Sequence, residues 1–199
     1  MVCLGQLVRA GRRLCAVGFD DGPFGRHRGA PVPLAGVVTV RTRFEGLLWG
    51  ATTRDGDDAT ERIAELLTGS KFGPQVHVVL LDGIAVGGLN VVDLPALAAA
   101  VGVPCVAVMR RMPDRAAMRR AMLRTPDPDQ RWARVERAGP IHRVGGFVFQ
   151  VQGHDPADTP ADVASALASL TDRGKVPEPL RLAHLIGAAV VTGQSGRRA

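Results

Sequence analysis

The clearest pattern along the chain is a set of short, nearly unbroken apolar runs, several stopped by aspartate or glycine. Leu14–Phe19 runs into Asp20-Asp21-Gly22-Pro23, and Val76-His-Val-Val-Leu-Leu81 runs into Asp82-Gly83. Continuous apolar runs of this length are expected of strands buried on both faces. Leu34–Val40 and Phe44–Ala51 predict two further strands, forming a meander with the first. The intervening stretch 25–33, rich in Gly, Pro and Arg, reads as a loop. Val103–Met109 predicts another buried strand, and 141–144 and 147–152 two short ones. Helical spacing is seen at Ile63, Leu66 and Leu67, in a helix opened by Asp58-Ala-Thr. Further helices are predicted over Asp93–Val101, from Pro113-Asp114 to about Arg124, over Pro160–Leu170 and over Leu180–Val190. Strands, then alternating helices and strands, then helices predict one mixed α/β layered domain spanning residues 1–199. No internal repeat or low-complexity linker divides it.

That order places chemistry. In sheets of this class ligands gather beyond the carboxyl ends of the strands, where Asp20 and Asp82 are predicted. If the two strands are neighbours, two carboxylates lie side by side and repel unless a cation separates them. Hard oxygen ligands select Mg²⁺ or Mn²⁺. Asp55, Asp57 and Asp58 lie at the junction before the first predicted helix, and the alternative for the whole set is that these aspartates only cap turns and helices. His184 stands alone on an apolar helix, where a satisfied core histidine is the bland reading. Gly83, Gly87, Gly88 and Asn90 make a turn that lets a ligand or a backbone approach closely. The turn lacks the lysine of a phosphate loop.

Composition sharpens this only partly. Hydrophobic residues are 46% and charged residues 22% of 199, which suits a folded globular chain. The formal net charge is +6, and 23 of the 25 basic residues are Arg. Arginine binds phosphate bidentately, so nucleic acid becomes a candidate partner, although a GC-rich genome produces the same bias. The excess has a location: residues 110–137 hold nine arginines against four acids. On a helix, Arg115 and Arg119 stack at i,i+4, as do Arg120 and Arg124, giving either a solvated face or a phosphate-contacting surface. The chain has no Tyr and only 4% aromatic residues, against a base-stacking platform. Three widely spaced cysteines form no disulfide framework and no zinc pair. No signal peptide is evident, and the longest apolar run, Leu94–Met109, falls short of the ~20 residues of a membrane span. A soluble cytoplasmic protein is expected.

Five segments together resemble a known family. They are Gly18-Phe-Asp-Asp-Gly-Pro-Phe24, Asp55-Gly-Asp-Asp-Ala-Thr60, Ser70-Lys-Phe72, the Asp-Gly block Leu81–Asp93, and Val176-Pro-Glu-Pro-Leu-Arg-Leu-Ala-His-Leu-Ile186. Their order is similar to that of the endonuclease dU family, related to endonuclease V. The resemblance implies a ribonuclease H-like three-layer fold, with a mixed five-stranded sheet flanked by helices. It implies Mg²⁺-dependent phosphodiester cleavage in DNA near deaminated bases, with deoxyuridine as substrate and DNA repair as the role. By motif, Asp20 and Asp82 take metal positions, His184 a position near the metal, and Asp58 the middle acidic ligand, with Asp55 and Asp57 as rivals. Endonuclease V's tyrosine wedge has no counterpart in a chain without Tyr. Its His-Pro-Arg is replaced by Val86-Gly-Gly-Leu-Asn90, so inosine specificity does not carry over.

The expectation is therefore a metal-dependent endonuclease. Asp20, Asp82 and His184 are catalytic, and Asp20, Asp58 and Asp82 hold Mg²⁺ (or Mn²⁺). Gly83, Asn90, Arg110, Arg111 and Arg181 touch substrate. The rivals are a non-catalytic nucleic-acid binder on the same scaffold and a metal-dependent ribonuclease.

Overall fold

The computed structural model describes residues 2–196. Its main sheet has the order β3-β2-β1-β4-β7-β9-β8. The strands are β1 (Cys15–Asp21), β2 (Pro31–Val40), β3 (Arg43–Thr53), β4 (Val78–Asp82), β7 (Cys105–Met109), β8 (His142–Val144) and β9 (Phe147–Gln152). A separate two-residue pair, β5 (Ala85–Val86) with β6 (Asn90–Val91), closes over Gly87 and Gly88. β1, β4 and β7 run parallel, and every other pairing is antiparallel. The first five strands of the order are the expected mixed five-stranded sheet. The β8–β9 hairpin extends it to seven by pairing antiparallel along the open edge of β7.

β2 begins at Pro31, earlier than the apolar pattern predicts. Pro31 and Pro33 cannot donate to a ladder, which argues against a strand from sequence. In the structure β1 ends at Asp21 opposite Leu34, so at Pro31–Pro33 only β3 flanks β2. There β2 is locally an edge and tolerates proline.

The helices are α1 (Leu4–Arg9), α2 (Ala59–Thr68), α3 (Leu94–Val101), α4 (Arg115–Met122), α5 (Pro128–Arg137), α6 (Pro160–Ser169) and α7 (Glu178–Thr192). Strand alternation divides the core into two faces. Val17, Phe19, Val79, Leu81, Cys105 and Ala107 pack with Ile63, Leu67, Leu97, Met122 and Val135 of α2–α5. Ala16, Val78, Leu80, Val106, Val108 and Phe149 pack with Leu4, Val163, Leu167 and Leu180 of α1, α6 and α7. The sequence does not predict α1 or α5. In α5 the inward stripe is Arg131 and Val135, so half of it is polar and no apolar period shows.

Two close approaches fix α7 over β1. A Cβ on Gly18 would stand 2.6 Å from the Pro179 carbonyl carbon and 2.7 Å from the Leu180 nitrogen, and one on Gly22 would stand 2.9 Å from the Gly187 carbonyl oxygen. Glycine at both places lets the helix lie directly on the strand.

Candidate metal centre

Residue parity assembles the site. Phe19 of β1 pairs with Leu81 of the parallel strand β4, and the next residue in each strand is an aspartate. Ala16 and Val78, an even number of residues earlier, face α6 and α7. Asp20 and Asp82 therefore emerge on the face that α7 covers, at the carboxyl ends of adjacent strands. From α7, His184 Nδ1 reaches Asp20 Oδ2 at 2.9 Å. Asp20, Asp82 and His184 each place a ligand atom within 4.8 Å of the others, and among the described residues they are the one such group. The three residues predicted to be catalytic thus meet in space.

The electrostatics match that geometry. Asp20 is 8% exposed. Burial, then the Asp82 and Asp21 carboxylates, push its carboxyl up to about 7, against the pull of the His184 hydrogen bond. A buried carboxylate facing a second carboxylate is short of positive charge. Arg110 reaches Asp82 Oδ2 at 3.3 Å from an exposed position. Two carboxylate groups and an imidazole within coordination span fit a divalent cation with hard-ligand preference.

Asp21, on the other face of β1, is a participant that the sequence reading left without a role. Its Oδ2 accepts a 2.6 Å hydrogen bond from the Gly87 amide, tying the Asp82–Asn90 loop to β1. Burial raises its carboxyl, the Gly87 hydrogen bond opposes that, and Asp82 adds to the rise. The doubled Asp20-Asp21 was the available signal: two carboxylates at one strand end serve opposite faces. Gly83, with φ +85°, starts this loop, and its amide donates to the Val108 carbonyl at 2.8 Å.

Asp58, expected as the middle metal ligand, lies elsewhere. Its Oδ1 accepts from Thr52 Oγ1, the Thr53 amide and Asn90 Nδ2, and its Oδ2 accepts from Thr53 Oγ1. These hydrogen bonds hold its carboxyl below the usual range against the effect of burial. Its lone pairs are spent joining the end of β3 to α2. The rivals are also occupied. Asp55 accepts from the Leu89 amide at 2.9 Å, and Asp57 pairs with Arg134. The helix-start pattern that suggested a ligand was the pattern of a structural junction.

Asn90, expected at the substrate, belongs to that junction. It is 0% exposed, donates to Thr52 Oγ1, the Thr53 carbonyl and Asp58, and accepts from the Ala59 amide. It therefore has no free edge for a ligand. Arg181 is held by Glu178, with Nη2 2.7 Å from Oε2, which leaves it partly neutralised at the start of α7. Arg111 is exposed on the loop after β7.

The arginine-rich segment proves to be mixed. Arg131 is 4% exposed and donates to the carbonyls of Pro126, Leu89 and Asp55. Arg134 pairs with Asp57 and Arg137 with Asp93, while Arg115 and Arg119 lie over the Trp132 ring. Much of the charge read as a phosphate surface ties α5 to the β5–β6 hairpin and its neighbours. Among the described residues no helix is long and apolar enough to cross a membrane.

Comparison with known proteins agrees with the motifs. A UPF0215 protein of Methanothermobacter thermautotrophicus is 40% identical over 184 residues, covering 90% of this chain and 88% of that protein. One of Deinococcus radiodurans is 38% identical over 181 residues, covering 90% of each. A crystal structure of a protein of unknown function from Archaeoglobus fulgidus superposes with a TM-score of 0.83 at 32% identity, over 91% of this chain and 100% of that one. An endonuclease V from Bacillus subtilis gives 0.57 at 12% identity, over 90% and 81% of the two chains, and shares the fold. A Ciona intestinalis endonuclease V, in complex with a 23mer DNA containing an inosine, gives 0.53 at 13% identity, over 87% and 83%. The model of the family described as endonuclease dU matches residues 12–191, which span every residue of the site, and the chain belongs to that nuclease family.

Proposed function

We propose that the chain is a divalent-metal-dependent endonuclease that cuts DNA containing deaminated bases, deoxyuridine among them, in a repair role. The observation that carries this is the convergence of Asp20, Asp82 and His184 at one strand edge in a member of the endonuclease dU family. Asp20 and Asp82 would hold Mg²⁺ or Mn²⁺. When bound, the cation offsets phosphate charge and makes a water more acidic.

The chain's own groups do the rest. His184 Nδ1 holds Asp20 in one orientation, and its imidazole would relay a proton at the reacting phosphate. The Asp21–Gly87 hydrogen bond anchors the loop that follows Asp82, which fixes the direction of that carboxylate. Arg110 and Arg111 supply positive charge next to the acids for the flanking phosphates. That a Ciona intestinalis relative in fold holds inosine-containing DNA supports a DNA substrate. The test is nicking of a uracil-containing duplex with Mg²⁺, with Mn²⁺ and with chelator, comparing the wild type with Asp82→Asn; the RNA of the same sequence is run alongside. Metal-dependent cleavage by the wild type alone is expected. Equal cleavage by both proteins would overturn the mechanism.

A further inference from the structure

An apolar rim stays open along β3, an outermost strand of the sheet. Leu47 and Trp49 stand opposite Val37 and Ala35 of β2, which pack with Ala183 of α7. Phe44, opposite Thr39, lies on the same face by alternation. The helix α7 continues the patch: Leu182 and Ile186 rest against Ala35 and Val37, and Val190 stands one turn further on. Phe44, Leu47, Trp49 and Val190 are 40–59% exposed. Aromatic residues make up only 4% of the chain, yet a Phe and one of its two Trp stand exposed on this strand. Exposed apolar side chains gathered in this way mark a contact surface. The strand edge beside them is bare. β3 is 11 residues long and holds no Pro or Lys, the residues that commonly blunt an edge. Its one register shift against β2 lies near its start, at Phe44–Gly46. Among the described residues no main-chain hydrogen bond from outside the sheet reaches 44–52. Arg43 pairs with Glu45 at 2.6 Å, so the strand carries no net charge in a chain of +6.

We propose that this rim joins two copies of the chain, β3 pairing antiparallel with β3 of the second copy about a two-fold axis through Leu48. That register uses the full length of the strand, and in it the strand is self-complementary. Leu47 faces Trp49 of the other copy and Trp49 faces Leu47, while Gly46 faces Gly50. Arg43 faces Thr53 and Glu45 faces Ala51, so no like charges meet. The neutral rim lets two chains of net positive charge approach where repulsion is least. At ~3.4 Å per residue the edge is about 37 Å long. With a depth of about 20 Å, the sheet plus one helix layer, it offers close to the ~800 Å² per partner of a stable interface. The open N–H and C=O groups of each edge gain partners on the other. β2 separates β3 from β1 and β4, so both metal centres stay clear of the contact.

The test is sedimentation velocity of the full chain from low micromolar to tenth-millimolar concentration. A concentration-dependent dimer is expected, and Trp49→Glu should raise its dissociation constant roughly thirtyfold or more, the loss of a central aromatic anchor. In a Trp132→Phe background Trp49 is the one tryptophan left, and its emission should shift to the blue as the dimer forms. The register has its own readout. A mixture of Leu47→Cys and Trp49→Cys chains should cross-link on mild oxidation, because facing residues lie within disulfide reach. Neither variant alone should, because neither position faces itself. A wild type that stays monomeric throughout overturns the proposal, and a Trp49 shift on adding lipid vesicles or duplex DNA to that monomer would name the occupant instead. A dimer unmoved by folded Trp49→Glu, or one without the mixed cross-link, overturns it as well. Where Trp49→Glu does not fold, Leu47→Lys takes its place, and the mixed cross-link decides if neither folds.

Discussion

Asp20 is where the cost of the site is concentrated. In the metal-free protein its carboxyl titrates near 7, chiefly through burial and then through Asp82, against an unfolded value near 3.8. The folded state therefore binds a proton that the unfolded state has released between those two pH values. Its contribution to stability is fully present below about 4, falls as pH rises, and is gone above about 7. Two outcomes are expected. Scanning calorimetry of the metal-free protein should show Asp82→Asn melting higher than wild type at pH 8, because one repelling charge is removed, with the gain shrinking toward pH 4. An unchanged or lower melting temperature at pH 8 would contradict the like-charge reading. Mg²⁺ should raise the melting temperature of the wild type more at pH 8 than at pH 5.5, because the cation competes with the Asp20 proton.

Secondary elements decide whether those residues meet. Gly18 lets the start of α7 rest on β1, and α7 carries His184 to Asp20. Gly18→Ala should push backbone against backbone, costing about 1–3 kcal/mol by urea denaturation. It should also weaken Mn²⁺ binding by titration, although residue 18 touches no ligand atom. Full Mn²⁺ affinity in that variant would show that the helix position does not matter to the site. A second junction works the other way. Asn90→Leu strands donors and acceptors between β3, α2 and β6, and is expected to destabilise by about 2–4 kcal/mol. Its effect on cleavage should follow the folded fraction, as suits a structural residue.

Over the whole molecule, a net charge of +6 overstates the surface available to DNA. Arg131, Arg134 and Arg137 are committed to carbonyls and aspartates. Exposed Arg111, Arg120 and Arg124 are not part of those networks. Replacing any one of the exposed three with Ala should lower the slope of log affinity against log salt by about one if it contacts phosphate. Arg131→Ala should instead lower the melting temperature. A smaller salt slope in folded Arg131→Ala would mean that the buried arginine faces DNA after all.

Much was legible in the chain before folding. Continuous apolar runs marked β1 and β4 because strands covered on both faces need no polar positions, and the aspartates ending them marked the ligand edge. The motifs around Asp20, Asp82 and His184 named the family and picked out three residues that the fold brings together. Other features were not legible because they depend on partners distant in sequence. Asp58 has a ligand's residue type and helix-start position, yet Thr52, Thr53 and Asn90 consume its oxygens. The arginines of 128–137 look solvated until Asp55, Asp57 and Asp93 are brought to them. Pro31 and Pro33 argue against a strand until β1 is seen to stop short. Periodicity and residue type thus determined the strands, the acidic edge and the chemistry available there. Which carboxylates face one another, and which charges are already neutralised, was decided only by the tertiary structure. Coulomb and hydrogen-bond energies depend on distance through space, and only the fold sets that distance.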